Sequence, residues 1–298
     1  MKTPCDGQAM RVYSPGKINL HLRVGPVRPD GFHPLCSWMV TVGLFDTLDF
    51  TLTQSGESTL SCDHPDVPCD SRNLILRAAN TLRQAAAAEG KIVPGANIAL
   101  EKLIPIGGGM GGGSGNAATT LTALNELWQL NWPIERLMPI AATLGSDVPF
   151  FLGRGSAWCF GRGEIVQPAR ALWPNFWAVL ILPPIASATP AVYRQFDQTP
   201  ASTDWDGPID IARWEELSPD ELLARCRNDL EPPCFALYPQ LKRWQQSAEN
   251  VLKRPVRLSG SGSTLFTLFD NILAASFAAE AVTRECGLPC KAAMVCPT

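Results

Sequence analysis

The sequence predicts an α+β fold divided into two domains. Strand-like and helix-like segments interleave along the whole chain of 298 residues, in the first half and in the second. A chain of this length is also longer than most single domains. Proline and a loss of periodicity coincide at residues 168–174, so we predict a first domain over 1–168 and a second over 169–298.

The first predicted strand covers residues 17–22, where polar and apolar residues alternate with a period of two. Lys17, Asn19 and His21 therefore share one face of the strand, and the apolar residues between them face a core. Turn residues, strand-like runs and apolar residues at helical spacing define the elements that follow. These are a turn at 28–31, strands at 40–53 and 97–103, helices at 71–88, 117–130 and 134–144, and a strand with a turn at 156–166.

The second half repeats this mixture of strands and helices. An apolar run at 176–182 is too short to span a membrane, which needs about 20 residues, and it is typical of a buried strand. A glycine- and serine-rich turn at 259–263 separates two further strands. The remaining predicted elements are helices at 219–227, 240–252 and 274–285, and strands at 256–258, 264–269 and 292–296.

The composition is that of a compact, enzyme-like chain. Hydrophobic residues make up 46% and charged residues 18% of the sequence, and the charged share lies below the roughly 25% usual in globular proteins. The net charge of −3 gives no sign of the basic surface that nucleic-acid-binding proteins carry, so we expect no nucleic-acid partner. We also expect no membrane partner, and a monomer or a weak homodimer.

The cysteines indicate a reducing compartment. None of the ten cysteines forms a C-x-x-C pair, and no histidine follows Cys69 to complete a zinc site with Cys286, Cys290 and Cys296. The first residues contain no apolar stretch of the kind found in a secretory signal. We expect a cytoplasmic protein with free thiols, most of them small and buried.

Seven glycines occur within residues 107–115, directly before a predicted helix, and we call these residues the glycine segment. A glycine costs roughly 0.5–1 kcal/mol more than alanine to order within an element, so a structural turn would need only one or two. Without Cβ atoms, phosphate oxygens can approach the backbone N–H groups, and a helix N-terminus carries partial positive charge. The glycine segment therefore favours a phosphate-binding site over a flexible turn without a ligand.

Two common nucleotide-binding motifs do not describe the glycine segment. No lysine follows the glycines, so the G-x-x-x-x-G-K-[ST] motif is not present. A G-x-G-x-x-G pattern fits only by choosing among the seven glycines. A dinucleotide-binding oxidoreductase would also need an acidic residue about 20 positions further on. Glu135 could take that role, but the flanking strand pattern fits it badly.

A set of ordered motifs resembles those of the GHMP kinases. The motifs follow that family's order over nearly the whole chain, which makes the combination specific although each motif alone is weak. Residues 105–118, which contain the glycine segment, resemble the family's ATP-binding motif. The other matching segments are PGKINL at 15–20, RPDGFH at 28–33, LGSDVPFF at 144–151, NDLEP at 228–232 and SGSGS at 259–263.

The resemblance implies a fold, an activity and a substrate. The fold would combine a ribosomal S5 domain 2-like N-terminal domain with a ferredoxin-like C-terminal domain. The activity would be phosphoryl transfer from ATP, with Mg²⁺ bridging the phosphate oxygens. Within the family, the motifs are most similar to those of the members that phosphorylate the 2-hydroxyl of a cytidine-diphosphate-linked methylerythritol in the non-mevalonate isoprenoid pathway. The implied partner is this small-molecule substrate.

The resemblance also implies the residues that bind ATP. The glycine segment would hold the phosphates, and Asn73 and Lys102 would lie near the nucleotide. A solvated lysine at the end of a strand is an equally good interpretation of Lys102. The implied ATP-binding residues are Asn73, Lys102, Pro105, Gly107, Gly108, Gly109, Gly111, Gly112, Gly113 and Ser114.

Asp147 and Lys17 are the catalytic residues that the resemblance implies. Asp147 would take the proton from the attacking hydroxyl, and the ammonium of Lys17 would favour the ionised Asp147 and steady the attacking oxygen. Asp147 could instead cap a helix, and Lys17 could be a paired surface lysine. The complete set of motifs favours the catalytic interpretation, and no residue is expected to be a dedicated metal ligand.

The resemblance also implies the residues that bind the substrate, whose cytosine ring suits aromatic faces and a polar edge. The resemblance implies that Phe32 and His33 bind the ring, with Tyr193 as the opposing face. Asn19 and Thr189 would line the methylerythritol portion. Taken alone, Phe32 and Tyr193 would more often be core aromatics than a stacking pair, and His33 would more often be a surface or structural histidine.

The chain departs from the family pattern at two positions within the matching motifs. Gly115 stands where the family usually has a second serine after the triple glycine, and Phe32 stands where it has tyrosine. Each departure removes one hydroxyl. We expect one phosphate or metal contact to be absent or supplied by water, and a stacking face without its phenol.

Two other functions stay open at this point. A GHMP kinase for another small alcohol, such as homoserine or mevalonate, would share the phosphate chemistry but would have no nucleobase to hold. A non-catalytic ligand sensor on the same fold would bind ATP and its ligand without releasing ADP. The presence of both Lys17 and Asp147 disfavours the sensor.

Overall fold

The computed structural model describes residues 7–153, 155–169, 176–198, 205–206 and 209–296. Strands and helices interleave through these residues, as the sequence predicts. The strands are β1 (Ala9–Val24), β2 (Leu35–Thr53), β3 (Thr59–Cys62), β4 (Gly95–Glu101), β5 (Ser156–Phe160), β6 (Ile165–Pro168), β7 (Trp177–Ile181), β8 (Arg257–Leu258), β9 (Leu265–Phe269) and β10 (Cys290–Met294). The helices are α1 (Leu74–Ala87), α2 (Gly112–Leu127), α3 (Ile134–Leu144), α4 (Val148–Phe151), α5 (Thr189–Phe196), α6 (Ile211–Trp214), α7 (Pro219–Arg225), α8 (Glu231–Leu237), α9 (Pro239–Leu252) and α10 (Ile272–Cys286).

The chain forms two compact units, each assembled from three separate segments. Unit 1 contains the described parts of Met1–Gly16, Leu44–Ile104 and Gly111–Leu152. Unit 2 contains Lys17–Gly43, Pro105–Met110 and the described parts of Gly153–Thr298. Strands β1 and β2 therefore contribute residues to both units. The predicted domain boundary at residue 168 stays a prediction, and residues 170–174 of the predicted seam lie outside the described residues.

Unit 1 packs helices against a sheet. The second part of β2 pairs antiparallel with β4, from Thr47 opposite Glu101 to Thr53 opposite Gly95, and β3 pairs parallel with β4. Helix α1 packs along α2, and α3 contacts both. Their core includes Phe50, and burying a side chain of this size stabilises a fold by about 1.5–3 kcal/mol. This core fixes the end of β4 and the body of α2, the two elements that flank the glycine segment in sequence.

Unit 2 contains a four-stranded antiparallel sheet in the order β10-β7-β9-β8. Helix α10 lies against this sheet and α9 packs on α10. Val179, Leu265 and Val282 belong to the core that joins them. The first part of β2 pairs with β5 in the same unit, and β5 pairs with β6.

Two elements near the glycine segment differ from the prediction. Helix α2 begins at Gly112 and not at residue 117, because the last glycines of the segment already form its first turn. Strand β1 is longer than the predicted 17–22. Its polar residues Lys17, Asn19 and His21 are buried like the apolar residues between them. Polar residues therefore lie on one face of the strand and apolar residues on the other, and both faces are buried.

The described cysteines agree only in part with the expectation from the sequence. Nine cysteines lie in the described ranges and none of them forms a disulfide, as predicted, but only three of the nine, Cys159, Cys226 and Cys234, are buried. Burial raises the pKa of the Cys226 thiol to about 12, so this thiol is inert at neutral pH. In the same ranges, none of the helices has the length and apolar character that crossing a bilayer requires.

Candidate active site

Lys17 lies on β1 with its ammonium buried inside unit 2. Its Nζ donates a 2.6 Å hydrogen bond to Asn19 Oδ1, and Asn19 Nδ2 donates to Ser37 Oγ at 2.8 Å. Lys17 and Asn19 are each only 4% exposed, so the interpretation of Lys17 as a surface lysine is wrong. A buried ammonium requires polar partners, and this network holds Nζ in one place.

The first part of the glycine segment is held by hydrogen bonds that its carbonyl groups accept from other parts of unit 2. Three of them accept hydrogen bonds within unit 2: Gly107 from Ser187 N at 3.0 Å, Gly108 from Thr264 N at 3.0 Å and Gly109 from the Ser259 hydroxyl at 3.1 Å. The next carbonyl, that of Met110, accepts from Lys17 N at 2.9 Å. The loop therefore has a fixed path beside the strand that carries Lys17.

The backbone conformation of Gly109 and its packing against residues 259–262 both favour glycine at this position. Its φ is +73°, a value that side chains disfavour. A Cβ atom at this position would also lie 2.3 Å from Ser259 O and 2.9 Å from Gly262 O. The sequence indicated that some group approaches the glycine backbone closely. At Gly109 that group is the chain's own backbone at residues 259 and 262.

Residues 259–263 form a second loop against the Lys17 network. The backbone N–H of Asn19 donates to Ser259 Oγ at 3.3 Å. A Cβ atom on Gly260 would lie 3.0 Å from Asn19 Oδ1 and 3.4 Å from Lys17 Nζ. Ser259 therefore links the glycine segment to β1 through one hydroxyl, a role that its motif match did not reveal.

The NDLEP motif anchors this second loop. Asn228 Nδ2 donates to Leu258 O at 2.9 Å and to Gly260 O at 2.7 Å. Glu231 Oε2 accepts from Leu258 N at 3.0 Å, while burial of the carboxyl raises its pKa. The sequence analysis assigned this motif no role. In the structure it positions the loop beside Lys17.

The second part of the glycine segment is the first turn of α2. Gly111 precedes the helix in a left-handed conformation with φ of +65°. Gly112, Gly113 and Ser114 then contribute N–H groups that have no partner within the helix, and no acidic residue occupies this turn. Partial positive charge and free donors make this end of α2 suited to an anion.

Gly115, where the family usually has serine, is closely packed in unit 1. A Cβ atom there would lie 2.9 Å from Pro15 O and 2.9 Å from Ser14 Oγ. The helix lies too close to β1 for any side chain at this position. The hydroxyl that the family usually carries has no room here.

Lys102 is paired with Asp46, a residue that the sequence analysis missed. Its Nζ lies 2.8 Å from Asp46 Oδ2, and the two side chains are 7% and 0% exposed. The interpretation of Lys102 as a solvated lysine is therefore wrong. The sequence signal for Asp46 was weak, because it is one of two acidic residues, with Asp49, in the strand-like run of β2.

Asn73 and Asp147 precede helices in different ways. Asn73 caps α1, since its Oδ1 accepts from Ile75 N at 2.9 Å and its Nδ2 donates to Pro68 O at 2.8 Å. Asp147 precedes α4 but its side chain makes no capping hydrogen bond, so the helix-cap interpretation of this carboxylate is wrong. The Asp147 side chain is half-buried.

Phe32, His33 and Tyr193 lie in unit 2, but His33 and Tyr193 contact each other directly. Their ring centroids are 5.2 Å apart, and His33 Nδ1 donates to Gly25 O at 2.8 Å. No nucleobase fits between these two rings. Phe32 is 47% exposed, and the guanidinium of Arg162 lies 4.6 Å from its ring centroid. Phe32 therefore offers the accessible aromatic face of the three.

Thr189 begins α5 and belongs to a polar cluster with the second loop. Its hydroxyl lies 2.7 Å from Ser261 Oγ, and Ser187 Oγ donates to Ser261 O at 2.7 Å. The cluster brings Thr189 to the same loop that contacts Lys17 and Asn19. Three of the predicted site residues thus share one support in unit 2.

His21, the third polar residue of the predicted strand face, sits in an aromatic cluster. Its ring meets that of Trp214 at 4.8 Å between centroids, in a T-shaped arrangement. Arg227 N donates to His21 Nδ1 at 3.3 Å. Burial, with Arg23 and Arg227 nearby, lowers the pKa of His21 to about 3. His21 is thus a neutral structural residue at physiological pH.

Two family models identify this chain as a GHMP kinase. The family model "GHMP kinases N terminal domain" matches residues 73–155, and the model "GHMP kinases C terminal" matches residues 213–287. A crystal structure of a homoserine kinase from Cytophaga hutchinsonii is similar in fold, with a TM-score of 0.77, 16% identity, and coverage of 99% of this chain and 96% of that one. The predicted α+β fold with GHMP kinase architecture is confirmed.

Two comparisons at higher identity narrow the family. The 4-diphosphocytidyl-2-C-methyl-D-erythritol kinase of Syntrophus aciditrophicus (strain SB) is 37% identical over 262 residues, which cover 88% of this chain and 90% of the relative. A crystal structure of 4-(cytidine 5'-diphospho)-2C-methyl-D-erythritol kinase is 35% identical, with a TM-score of 0.74 and coverage of 96% of this chain and 99% of that one. This chain belongs to the 4-diphosphocytidyl-2-C-methyl-D-erythritol kinase family.

Proposed function

We propose that this chain is an ATP-dependent kinase that phosphorylates the 2-hydroxyl of 4-diphosphocytidyl-2-C-methyl-D-erythritol in the non-mevalonate isoprenoid pathway. The observation that carries the proposal is the glycine segment, which runs into the N-terminus of α2 with no acidic residue in the first turn. The choice of acceptor is supported by the relative that is 37% identical over most of both chains.

ATP would bind with its phosphates at the glycine segment. The N–H groups of Gly112, Gly113 and Ser114 would donate to phosphate oxygens, as helix N-termini do for anions. Pro105 and the remaining glycines would shape the loop that precedes them. Asn73 and Lys102 would act at the edge of this nucleotide site.

Mg²⁺ is the metal proposed to accompany ATP. Within the ranges that the structure describes, no group of three His, Cys, Asp or Glu side chains forms a metal cage. Mg²⁺ in kinases is usually bound through substrate phosphates, waters and one or two protein oxygens, and the Ser114 hydroxyl in the first turn of α2 would be one such oxygen. When bound, the metal would neutralise charge on the phosphates.

Asp147 and Lys17 are proposed as the catalytic residues. The Asp147 carboxylate would accept the proton of the 2-hydroxyl as its oxygen attacks the γ-phosphorus of ATP and ADP leaves. The Lys17 ammonium would stabilise negative charge on the oxygens in transfer. Phosphoryl transfer depends mainly on positioning and charge, which is what the Lys17–Asn19 hydrogen bond provides for Nζ.

The cytidine end of the substrate would lie against Phe32. Its exposed ring provides the stacking face, and the contacting pair of His33 and Tyr193 would form a wall beside it. Asn19 and Thr189 would line the methylerythritol portion, since both contact the loop at 259–263. A location in the cytoplasm and a monomer or weak homodimer stay predictions from the sequence.

The test is ADP release by the purified chain with Mg-ATP and one of three acceptors. The acceptors are 4-diphosphocytidyl-2-C-methyl-D-erythritol, homoserine and mevalonate. The proposal expects turnover with the first alone. Turnover with another acceptor would keep the phosphate chemistry and reject the nucleobase site. Binding of ATP without ADP release from any acceptor would favour the non-catalytic sensor.

A further inference from the structure

Asp46 accepts hydrogen bonds from the chain on both sides of the glycine segment. Its Oδ1 accepts from Leu103 N at 2.9 Å and from Ile104 N at 2.8 Å, where the chain leaves β4. Its Oδ2 accepts from Asn116 Nδ2 at 2.9 Å, in the second turn of α2. One carboxylate on β2 therefore holds the chain at Ile104, shortly before the glycine segment, and at Asn116, directly after it.

Lys102 completes this arrangement. Its Nζ lies 3.1 Å from Asp46 Oδ1 and 2.8 Å from Oδ2, and it also donates to the carbonyl of Ile104. A Cβ atom on Gly112 would lie 3.1 Å from the same Nζ and 3.0 Å from Ile104 Cγ2. The ammonium thus fills the space between the residue that enters the glycine segment and the first residue of α2.

The pair is buried, and this determines how it acts. A charge removed from water is stable only beside its counter-charge, and removing one partner of a buried pair is far more harmful than removing both. The Lys102 ammonium has three donors, and the two carboxylate oxygens and the Ile104 carbonyl supply acceptors for them. These three acceptors satisfy the donors of the ammonium, so it needs no phosphate oxygen as a partner.

We propose that Asp46 and Lys102 are positioning residues that set the spacing of the two ends of the glycine segment, so that Lys102 acts on ATP through the loop and not by contact with it. This inference rests on the proposed binding of ATP at the glycine segment. It replaces a direct ATP contact of Lys102 by an indirect one, and it adds Asp46, which no motif identifies.

The test compares Lys102→Met, Asp46→Asn and the double variant in the full-length chain. Binding of the non-hydrolysable ATP analogue AMP-PNP with Mg²⁺ is measured by calorimetry, and thermal unfolding is measured alongside. Each single variant is expected to lose about tenfold in analogue affinity and to unfold at a lower temperature, while KM for the acceptor stays unchanged. The double variant is expected to bind no more weakly than the weaker single variant, because both charges leave together.

A direct ATP contact predicts a different pattern. The losses of affinity in the two single variants would then be independent and would multiply in the double variant, and that result would overturn the inference. Glu89→Gln, which breaks an exposed ion pair with Arg136 in unit 1, is the matched control and is expected to change neither quantity.

A milder variant covers the case in which the charge variants do not fold. Asn116→Ala removes only the contact between Asp46 and α2, and it is expected to weaken analogue binding and to speed amide exchange at Leu103 and Ile104. Unchanged binding by this variant would also count against the inference. If the unmodified chain does not bind AMP-PNP, the proposed function fails first and the inference fails with it; binding that is equal in all variants rejects the inference alone.

Discussion

The ammonium of Lys17 and the amide oxygen of Asn19 are 2.6 Å apart, and both side chains are buried. The two residues are neighbours on one face of β1, and the loop at 259–263 covers them through Gly260. A lysine side chain has many rotamers in water, so this hydrogen bond limits where the positive charge can lie. Fixed charge is what a phosphoryl-transfer site requires.

Lys17→Met tests whether this fixed charge contributes to turnover. We expect kcat to fall by about 10²–10³-fold, because a preorganised charge is lost where negative charge develops. Affinity for the ATP analogue should change little. Lys242→Met, at an exposed position of α9, is the control and should keep full kcat. A Lys17→Met enzyme with normal kcat would remove Lys17 from the mechanism.

Gly109→Ala tests whether the glycine segment is shaped by the chain's own backbone. Gly90 has the same φ of +73° but open space around it, so Gly90→Ala measures the backbone strain alone, about 1 kcal/mol of unfolding free energy. Gly109→Ala should cost about 2 kcal/mol more, because its Cβ would also meet Ser259 O. Urea unfolding of both variants measures the difference. Equal losses would show that the close contact can relax.

Gly115→Ala and Gly113→Ala separate packing from helix propensity within one turn of α2. A Cβ atom at Gly113 would meet only Leu74, at 3.8 Å, so this variant should gain about 0.5–1 kcal/mol of stability. Gly115→Ala should lose about 1–3 kcal/mol, because its Cβ would crowd Pro15 and Ser14. Thermal unfolding compares the two. Stabilisation in both variants would contradict the packing account of Gly115.

His21→Phe tests the buried neutral histidine through the pH dependence of stability. The folded pKa of about 3 lies below the ordinary value of 6.5, so the unfolded state binds the proton more readily. Stability from this group is therefore present above pH 6.5 and is lost as the pH falls toward 3. Between pH 7 and pH 4 the unmodified chain should lose about 3 kcal/mol more than His21→Phe. Parallel losses in urea unfolding would refute this assignment.

Phe32→Leu tests the proposed stacking face. Base–aromatic stacking contributes about 1–3 kcal/mol, so KM for the cytidylyl acceptor should rise by about tenfold while KM for ATP stays unchanged. Phe277→Leu, at an exposed aromatic on α10, is the matched control. Initial rates of ADP release at varied acceptor concentration measure the effect. An unchanged KM for Phe32→Leu would move the nucleobase elsewhere.

The match between sequence and structure differs from element to element. The period of two at 17–22 predicted β1, because alternating side chains lie on opposite faces of any strand. It did not predict that Lys17, Asn19 and His21 are buried, since their cover comes from residues more than 190 positions away, such as Trp214 and Gly260. The start of α2 was placed five residues late because glycine lowers helix propensity, and packing in unit 1 overrides that preference.

The α+β class, the family and the identity of the glycine segment can be predicted from the sequence alone, because these depend on local periodicity and on ordered motifs. The pairing of Lys102 with Asp46, the approach of Ser259 to Gly109 and the crowding at Gly115 are visible only in the folded chain. Hydrogen bonds and close contacts between distant segments follow from the folded arrangement of the chain, and no local pattern in the sequence encodes their distances.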